Sequence, residues 1–384
     1  MERKKILIIG MFDSIHLARW LKQFEDKCVD FTLLPSKKYR YINPELNKLI
    51  KSNKLANYYL VWPYKLNILS GYIDFALHKI GNILKIDFRK NIARNLLMKS
   101  NFDYVHALEI QGAGYLYSEL PKDIIDRNKL ILTNWGSDIY FFAKDEKHNE
   151  KISKIVSMAS YYSAECERDY ELLKNYHFNG EKLPCIPNGG GFSKEEINSY
   201  KTLASKRNLI LCKGYGGTFG EAQLAIPAID DVLSKHKSMT AFFYSVTVDI
   251  EKSVLSLKDK YGNRVNYSTV SNPLSRKNLL ALFSEARVYI GCSKSDAIST
   301  SFLEALTYGA YPIQTNTSCA NEWIIKGAFA TLVGLDAAEI NKELESVIKD
   351  DKLINLAQTS NLIVAKKYLD ENEIKKIAMK FYSL

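Results

Sequence analysis

No run of about 18 apolar residues occurs in these 384 residues, so no membrane-spanning helix is expected. Six cysteines, at 28, 166, 185, 212, 292 and 319, form no C-x-x-C pair. Several sit in apolar runs, which suits reduced core thiols of a cytoplasmic protein and argues against a disulfide scaffold. The six histidines are dispersed and give no zinc spacing. No repeat of about 20–50 residues and no low-complexity tract is present, which excludes solenoids and arrays. The opening, Met1 to Lys5 followed by the apolar 6–10, is too short for a secretion signal and reads as a first strand.

Acidic residues are scarce between 31 and 100, where three (Glu45, Asp74, Asp87) face thirteen Lys and Arg. This one segment equals the net charge of the whole chain, +10. Tyr39, Tyr41, Tyr58, Tyr59, Trp62, Tyr64, Tyr72, Phe75 and Phe88 are interleaved with the basic groups. Basic residues mixed with Trp and Tyr suit an anionic membrane surface, where rings sit at headgroup depth. A solvated basic face without a partner is the alternative. Nucleic acid is not expected, because no recognition motif accompanies the charge. Within the segment, 86–99 has an amphipathic pattern: Ile86, Phe88, Ile92, Leu96 and Leu97 can share one helical side.

The length suits two domains. Strands are expected at 5–9, 29–34, 104–108, 130–134 and 161–164, with a helix at 14–24. From Leu183 to Phe192, two prolines and three glycines in ten residues mark a bend and an interdomain hinge. Alternation restarts with strands at 208–212, 241–246, 265–268, 288–291 and 311–314, and helices at 337–349, 352–367 and 371–382 close the chain. Such alternation predicts doubly wound α/β domains. The boundaries expected are 1–187, 188–368 and a terminal segment, 369–384, that can pack back on the first domain.

Four segments carry chemistry. From Gly291 to Ile313, a strand runs into a loop with Asp296, then Ser299, Thr300 and Ser301, then a helix with Glu304. Uncapped amides at such a helix start form an anion site, and an acid one turn in can accept from ribose hydroxyls. Ser301 with Glu304 is equally a capping box, S-x-x-E. Lys213 to Gly220 reads Lys-Gly-Tyr-Gly-Gly-Thr-Phe-Gly after a strand. Gly214, Gly216 and Gly217 let backbone approach a diphosphate, to which Lys213 adds a point charge; a Gly-rich turn with a surface Lys is the alternative. Gly10 to Trp20 joins the first strand to its helix, with Ser14 as N-cap and His16 on the first turn. Thr133 to Ile139 ends a strand in Gly-Ser-Asp, placing Asp138 as a ligand contact, a weak base or a cap. His106, at the end of strand 104–108, is a lesser candidate, since a lone strand-end histidine is more often structural. Gly214, Gly216 and Gly220 also approximate a dinucleotide fingerprint, but one residue too long, and the acids about 20 residues on, Asp230 and Asp231, fall in an expected helix.

Taken in order, these segments resemble the retaining GT-B glycosyltransferases of family four, and the Lys-Gly-Tyr loop is similar to a subgroup that builds bacterial surface polysaccharides. Asp296 stands where the family has Glu, Trp135 where His is common, and Phe219 where a second basic residue is usual. The resemblance implies two Rossmann-like domains facing a central cleft. It implies transfer from a nucleotide-diphosphate sugar, UDP favoured over GDP, to a lipid-linked or polysaccharide acceptor. Catalytic roles fall to Lys213, Asp296 and Asp138. Donor contacts fall to Gly214, Gly216, Gly217, Ser299, Thr300, Ser301 and Glu304, and acceptor contacts to Ser14, His16 and His106. No cofactor is implied. Metal independence follows from the implied fold and the lack of an Asp-x-Asp pair. The implied setting is O-antigen, capsule or lipopolysaccharide synthesis at the inner face of the cytoplasmic membrane. A GT-B epimerase or hydrolase, or a non-catalytic sugar-nucleotide-binding protein, is the alternative.

Overall fold

The computed structural model describes residues 3–52, 54–64, 70–84, 87–197 and 202–384. The chain forms two units, Met1–Gly190 with Ile374–Leu384, and Gly191–Glu373. The division falls inside the Pro- and Gly-rich segment.

The first unit holds a parallel sheet of seven strands: β1 (Lys4–Gly10), β2 (Val29–Pro35), β3 (Asn57–Leu60), β4 (Tyr104–Leu108), β5 (Leu130–Thr133), β6 (Tyr161–Ser163) and β7 (Glu181–Lys182). Their spatial order is β3-β2-β1-β4-β5-β6-β7. The second holds six: β8 (Leu209–Lys213), β9 (Thr240–Val246), β10 (Val265–Thr269), β11 (Ala286–Gly291), β12 (Tyr311–Thr315) and β13 (Thr331–Val333), in the order β10-β9-β8-β11-β12-β13. Every ladder is parallel. Parallel strands are covered on both faces, so the central ones read as continuous apolar runs; Ile6, Leu7, Ile8 and Ile9 are wholly buried. Strand order reverses between β1 and β4 and again between β8 and β11. In open α/β sheets ligands bind beyond the carboxyl ends of the strands at such reversals.

The expected strands are present with ends shifted by a residue or two. Three strands were not expected. All are short and lie at or next to a sheet edge, and β7 is exposed at both residues. The helix expected at 86–99 is Phe88–Lys99; residues 85 and 86 lie outside those described. Its apolar side packs inward. Ala93 and Leu97 are buried, and Ile92 and Leu96 pack against the core.

His106 does not face a ligand. On β4 it is wholly buried, with Nδ1 2.6 Å from the Tyr382 hydroxyl and Nε2 2.6 Å from Thr133 Oγ1. Trp20 Nε1 donates to the same Tyr382 oxygen at 2.9 Å, and the Trp20 and Phe381 rings lie 4.8 Å apart. The chain terminus is thus a plug of the first core, held by a polar network inside an aromatic cluster.

Two outcomes follow from this network. Tyr382→Phe removes the oxygen serving Trp20 and His106, and should cost about 1–3 kcal/mol in urea unfolding. Burial also holds the His106 imidazole down at about 3 from an ordinary 6.5. Between those values the unfolded chain binds a proton that the folded chain refuses, so stability falls as pH drops below 6.5, by up to ~1.4 kcal/mol per unit. Wild type should show this component in urea titrations over that window, and His106→Gln should lack it.

Candidate functional site

At the strand-order reversal of the second unit, the loops leaving β8 and β11 are stitched together. Gly220 and Ser293 form an antiparallel bridge. Lys294 N donates to Phe219 O at 2.7 Å, Glu221 N donates to Cys292 O at 3.0 Å, and Lys294 Nζ lies 2.6 Å from Glu221 Oε1. The Lys213–Gly220 loop and the Asp296–Glu304 segment, read separately along the chain, are therefore spatial neighbours.

Lys213 ends β8, half-buried, its ammonium 5.2 Å from the Tyr215 ring centroid. It has no carboxylate partner among the described residues. The glycines beyond it differ from the expectation. Gly214 N donates to Tyr244 O, Gly216 N to Thr247 Oγ1 at 2.9 Å, and Gly217 N to Asp249 Oδ2 at 2.9 Å. Gly217 needs its glycine, with φ at +71°. A Cβ on Gly216 would stand 2.2 Å from Asp249 Oδ2. The amides that would cradle a phosphate are thus engaged from within, and an anion reaching the Gly217 amide has to displace the Asp249 carboxylate. Nor does an α-helix begin at the loop; the next starts at Ile226.

The other loop leads into the helix Thr300–Tyr308, whose N-cap is Ser299. The Ser299 side chain makes no capping hydrogen bond to it. Its N3 position is Phe302, so Ser301 and Glu304 each sit two positions too late to form a capping box. Ser301 Oγ instead accepts from the buried Tyr244 hydroxyl at 2.6 Å. The first-turn amides form the positive end of the helix, not capped by Ser299. Glu304, one turn further, is only 3 % exposed, and Arg276 Nη1 donates to its Oε1 at 3.1 Å. Arg276 Nη2 also reaches Glu196 Oε1 at 3.4 Å. Asp296 is half-buried in the loop between, its amide 3.4 Å from Thr317 O. Arg276 and Tyr244 were missed by sequence reasoning. Neither carries a local signal, since each meets the segment from a distant strand or helix.

In the first unit, Ser14 caps the helix Ile15–Lys22, accepting from His16 N at 3.1 Å. The half-buried His16 ring lies 5.5 Å from that of Trp135. Asp138 is buried rather than presented. Its Oδ2 accepts from Ile110 N and Trp135 N, both at 2.9 Å, clamping the loops after β4 and β5. Burial first, and then nearby Glu109, push its carboxyl well above the usual range. Glu109 was also missed. It follows β4 with φ at +126°, and its two oxygens accept from Gly112 N at 2.6 Å and Ala113 N at 2.8 Å. A charged residue ending an apolar strand was the available signal.

No protein-family model and no curated protein matches this chain. Solved structures do. Alr3699/HepE of Anabaena, crystallised with UDP-glucose, aligns over 99 % of this chain and 100 % of its own at a TM-score of 0.67 and 15 % identity. Sucrose-phosphate synthase of Thermosynechococcus elongatus aligns over 99 % and 98 % at 0.68 and 11 %. A glycosyltransferase of Rickettsia africae aligns over 100 % and 98 % at 0.66 and 14 %. The chain has the GT-B fold. In that fold the stitched loops of the second unit stand at the carboxyl edge of a Rossmann-like sheet.

The glycine geometry is testable by a double-mutant cycle. Gly216→Ala should cost about 1–3 kcal/mol through its clash with Asp249 and Ile250. Adding Asp249→Ala should return part of that cost in urea unfolding, whereas simple additivity would mean the two residues do not meet.

Proposed function

We propose that this protein is a retaining glycosyltransferase that moves a sugar from a nucleotide-diphosphate sugar to a lipid-linked or polysaccharide acceptor. The observation that carries the reading is the start of Thr300–Tyr308, where Ser299 makes no side-chain cap, with Glu304 one turn in and, on the neighbouring strand end, Lys213, which has no carboxylate partner among the described residues. Fixed amides and a cation suit a diphosphate; a buried acid beside them suits ribose hydroxyls. Asp296 is assigned to the hydroxyls of the donor sugar. The UDP-glucose complex of HepE supports a UDP-sugar as donor.

The chemistry follows from where charge develops. As the bond between the sugar C1 and the diphosphate oxygen breaks, negative charge grows on the leaving group. Lys213 and the helix amides strengthen their hold at that moment, which lowers the barrier rather than the ground state. The acceptor oxygen bonds to C1 on the face being vacated, and its proton passes to the leaving phosphate oxygen. No protein base and no metal ion is assigned a step. The acceptor is assigned to the carboxyl edge of the first sheet, near Ser14 and His16, with Asp138 holding the loops there. His106, sealed in the core, is withdrawn from that role. The proposed setting is bacterial surface-polysaccharide synthesis at the inner face of the cytoplasmic membrane.

Isothermal calorimetry and thermal shift with UDP, GDP, ADP and CMP test the donor site. UDP should bind, and Glu304→Ala should weaken it by about 1–3 kcal/mol, the scale of a charged hydrogen bond. Undiminished binding in that variant would remove the ribose assignment. In turnover assays Lys213→Ala should lower kcat more than it raises KM; an effect on KM alone would make Lys213 a ground-state contact only.

A further inference from the structure

The helix Ser70–Leu84 half-buries Ile73 and Leu77 but shows a second apolar side to solvent. Tyr72, Phe75, Ala76, Lys79, Ile80 and Ile83 recur at helical spacing, and all are exposed, Tyr72 by 76 % and Ile83 by 81 %. Its one acid, Asp74, is instead turned inward, 1 % exposed. Asp74 Oδ2 accepts from Tyr39 N at 3.3 Å, its Oδ1 accepts from Tyr64 Oη at 3.4 Å, and Arg89 Nε lies 3.9 Å away. That anchor fixes the helix rotation, so the apolar stripe points to solvent by construction.

The surroundings identify what the stripe meets. Lys38 Nζ and Lys79 Nζ sit 4.5 and 4.9 Å from the Phe75 ring centroid. A Cβ on Gly71 would lie 2.2 Å from Arg40 O, so the exposed Arg40 and Tyr41 adjoin the start of the helix. Trp62, 73 % exposed, stands two residues from Tyr64, which touches Asp74. An aliphatic strip with Trp and Tyr beside it, flanked by lysines and lacking an exposed acid of its own, has the chemistry of a headgroup interface. Protein interfaces of this apolarity are depleted in Lys at their centre, whereas here two lysines hold the central ring.

The geometry points to the exposed face of Ser70–Leu84, with Lys38, Arg40, Tyr41 and Trp62, as the surface that docks this protein on an anionic lipid bilayer. The surface is not the helix Phe88–Lys99, whose apolar side is spent on the core. Ile80 and Ile83 enter the acyl boundary, the rings lie at headgroup depth, and Lys38 and Lys79 meet lipid phosphates. This deepens the lipid-linked acceptor reading and rests on it for the setting alone. Vesicle binding is measured without donor or acceptor, so its failure leaves the transferase reading standing.

The test is co-sedimentation of the full chain with vesicles of phosphatidylcholine alone and of phosphatidylcholine with phosphatidylglycerol. Wild type should pellet with the mixed vesicles and stay behind with the neutral ones. Ile80→Glu with Ile83→Glu, and separately Lys38→Glu with Lys79→Glu, should each lower partitioning by about tenfold or more. All four positions are exposed, so melting temperatures should be unchanged. Mixed vesicles should shift tryptophan emission to the blue, and Trp62→Phe should abolish the shift. Equal pelleting with neutral vesicles, or wild-type pelleting of the isoleucine variant, overturns the proposal. So does a dimer in sedimentation that the isoleucine variant dissolves, which would give the face to a second copy.

Discussion

The pairing of β8 with β11 is the constraint on which the second unit's chemistry depends. These strands are separated by two others in sequence yet hydrogen-bonded in space, with Ile210 against Val288 and Cys212 against Ile290. Their side-by-side register delivers two loops to one place. The Gly220 to Ser293 bridge and the Lys294–Glu221 ion pair then hold those loops in register with each other. Without the reversal of strand order, Lys213 and the start of Thr300–Tyr308 would open on different parts of the sheet, and neither alone amounts to an anion site.

Two potential anion seats flank that junction, and the structure treats them oppositely. The glycine loop is filled: Asp249 supplies the negative charge that its amide wants, and its carboxyl is held below the usual range by Thr247 and the Gly217 amide. At the helix start the Ser299 side chain makes no cap hydrogen bond, although serine is a residue type that caps readily. Cap donors and acceptors contribute about 1 kcal/mol each, so leaving one unused forgoes stability at a position where a capping residue is already present. A phosphate oxygen would satisfy the same amides better than a hydroxyl. That asymmetry favours the helix as the seat in the proposed reading, with the glycines keeping the β8 loop pressed on the end of β9.

Legibility in the sequence followed the range of the interactions. β1, β4 and β11 were readable because burial on both faces writes a continuous apolar run. The three short strands at the sheet margins were not, since two to four residues give no period. Which of Ser299, Thr300 and Ser301 is the N-cap of Thr300–Tyr308 was not legible, because the three are chemically alike, and only Tyr244, 57 residues away, shows that the Ser301 hydroxyl is taken. Arg276 was invisible for the same reason, meeting Glu304 across 28 residues. His106 was legible as a strand-end histidine whose structural reading was the more common one, but its partner Tyr382, 276 residues on, was not.

Amphipathic pattern has a similar weakness. Phe88–Lys99 looks like a surface helix with one apolar side, and that is what it is: the apolar side goes to the core. Ser70–Leu84 gives the same periodicity, and nothing in the period says which side faces in. The deciding residue is Asp74. A buried carboxylate is costly unless donors converge on it, and here a backbone amide, a tyrosine hydroxyl and an arginine do. Burial still pushes its carboxyl up against the opposing pull of Arg89. If hiding apolar surface from water were the dominant pull, the helix would turn Phe75, Ile80 and Ile83 inward and put Asp74 in solvent. The inverse arrangement spends polar contacts on fixing one rotation, and the rotation it fixes displays the apolar stripe. The proposed bilayer would give that stripe somewhere better to go than water.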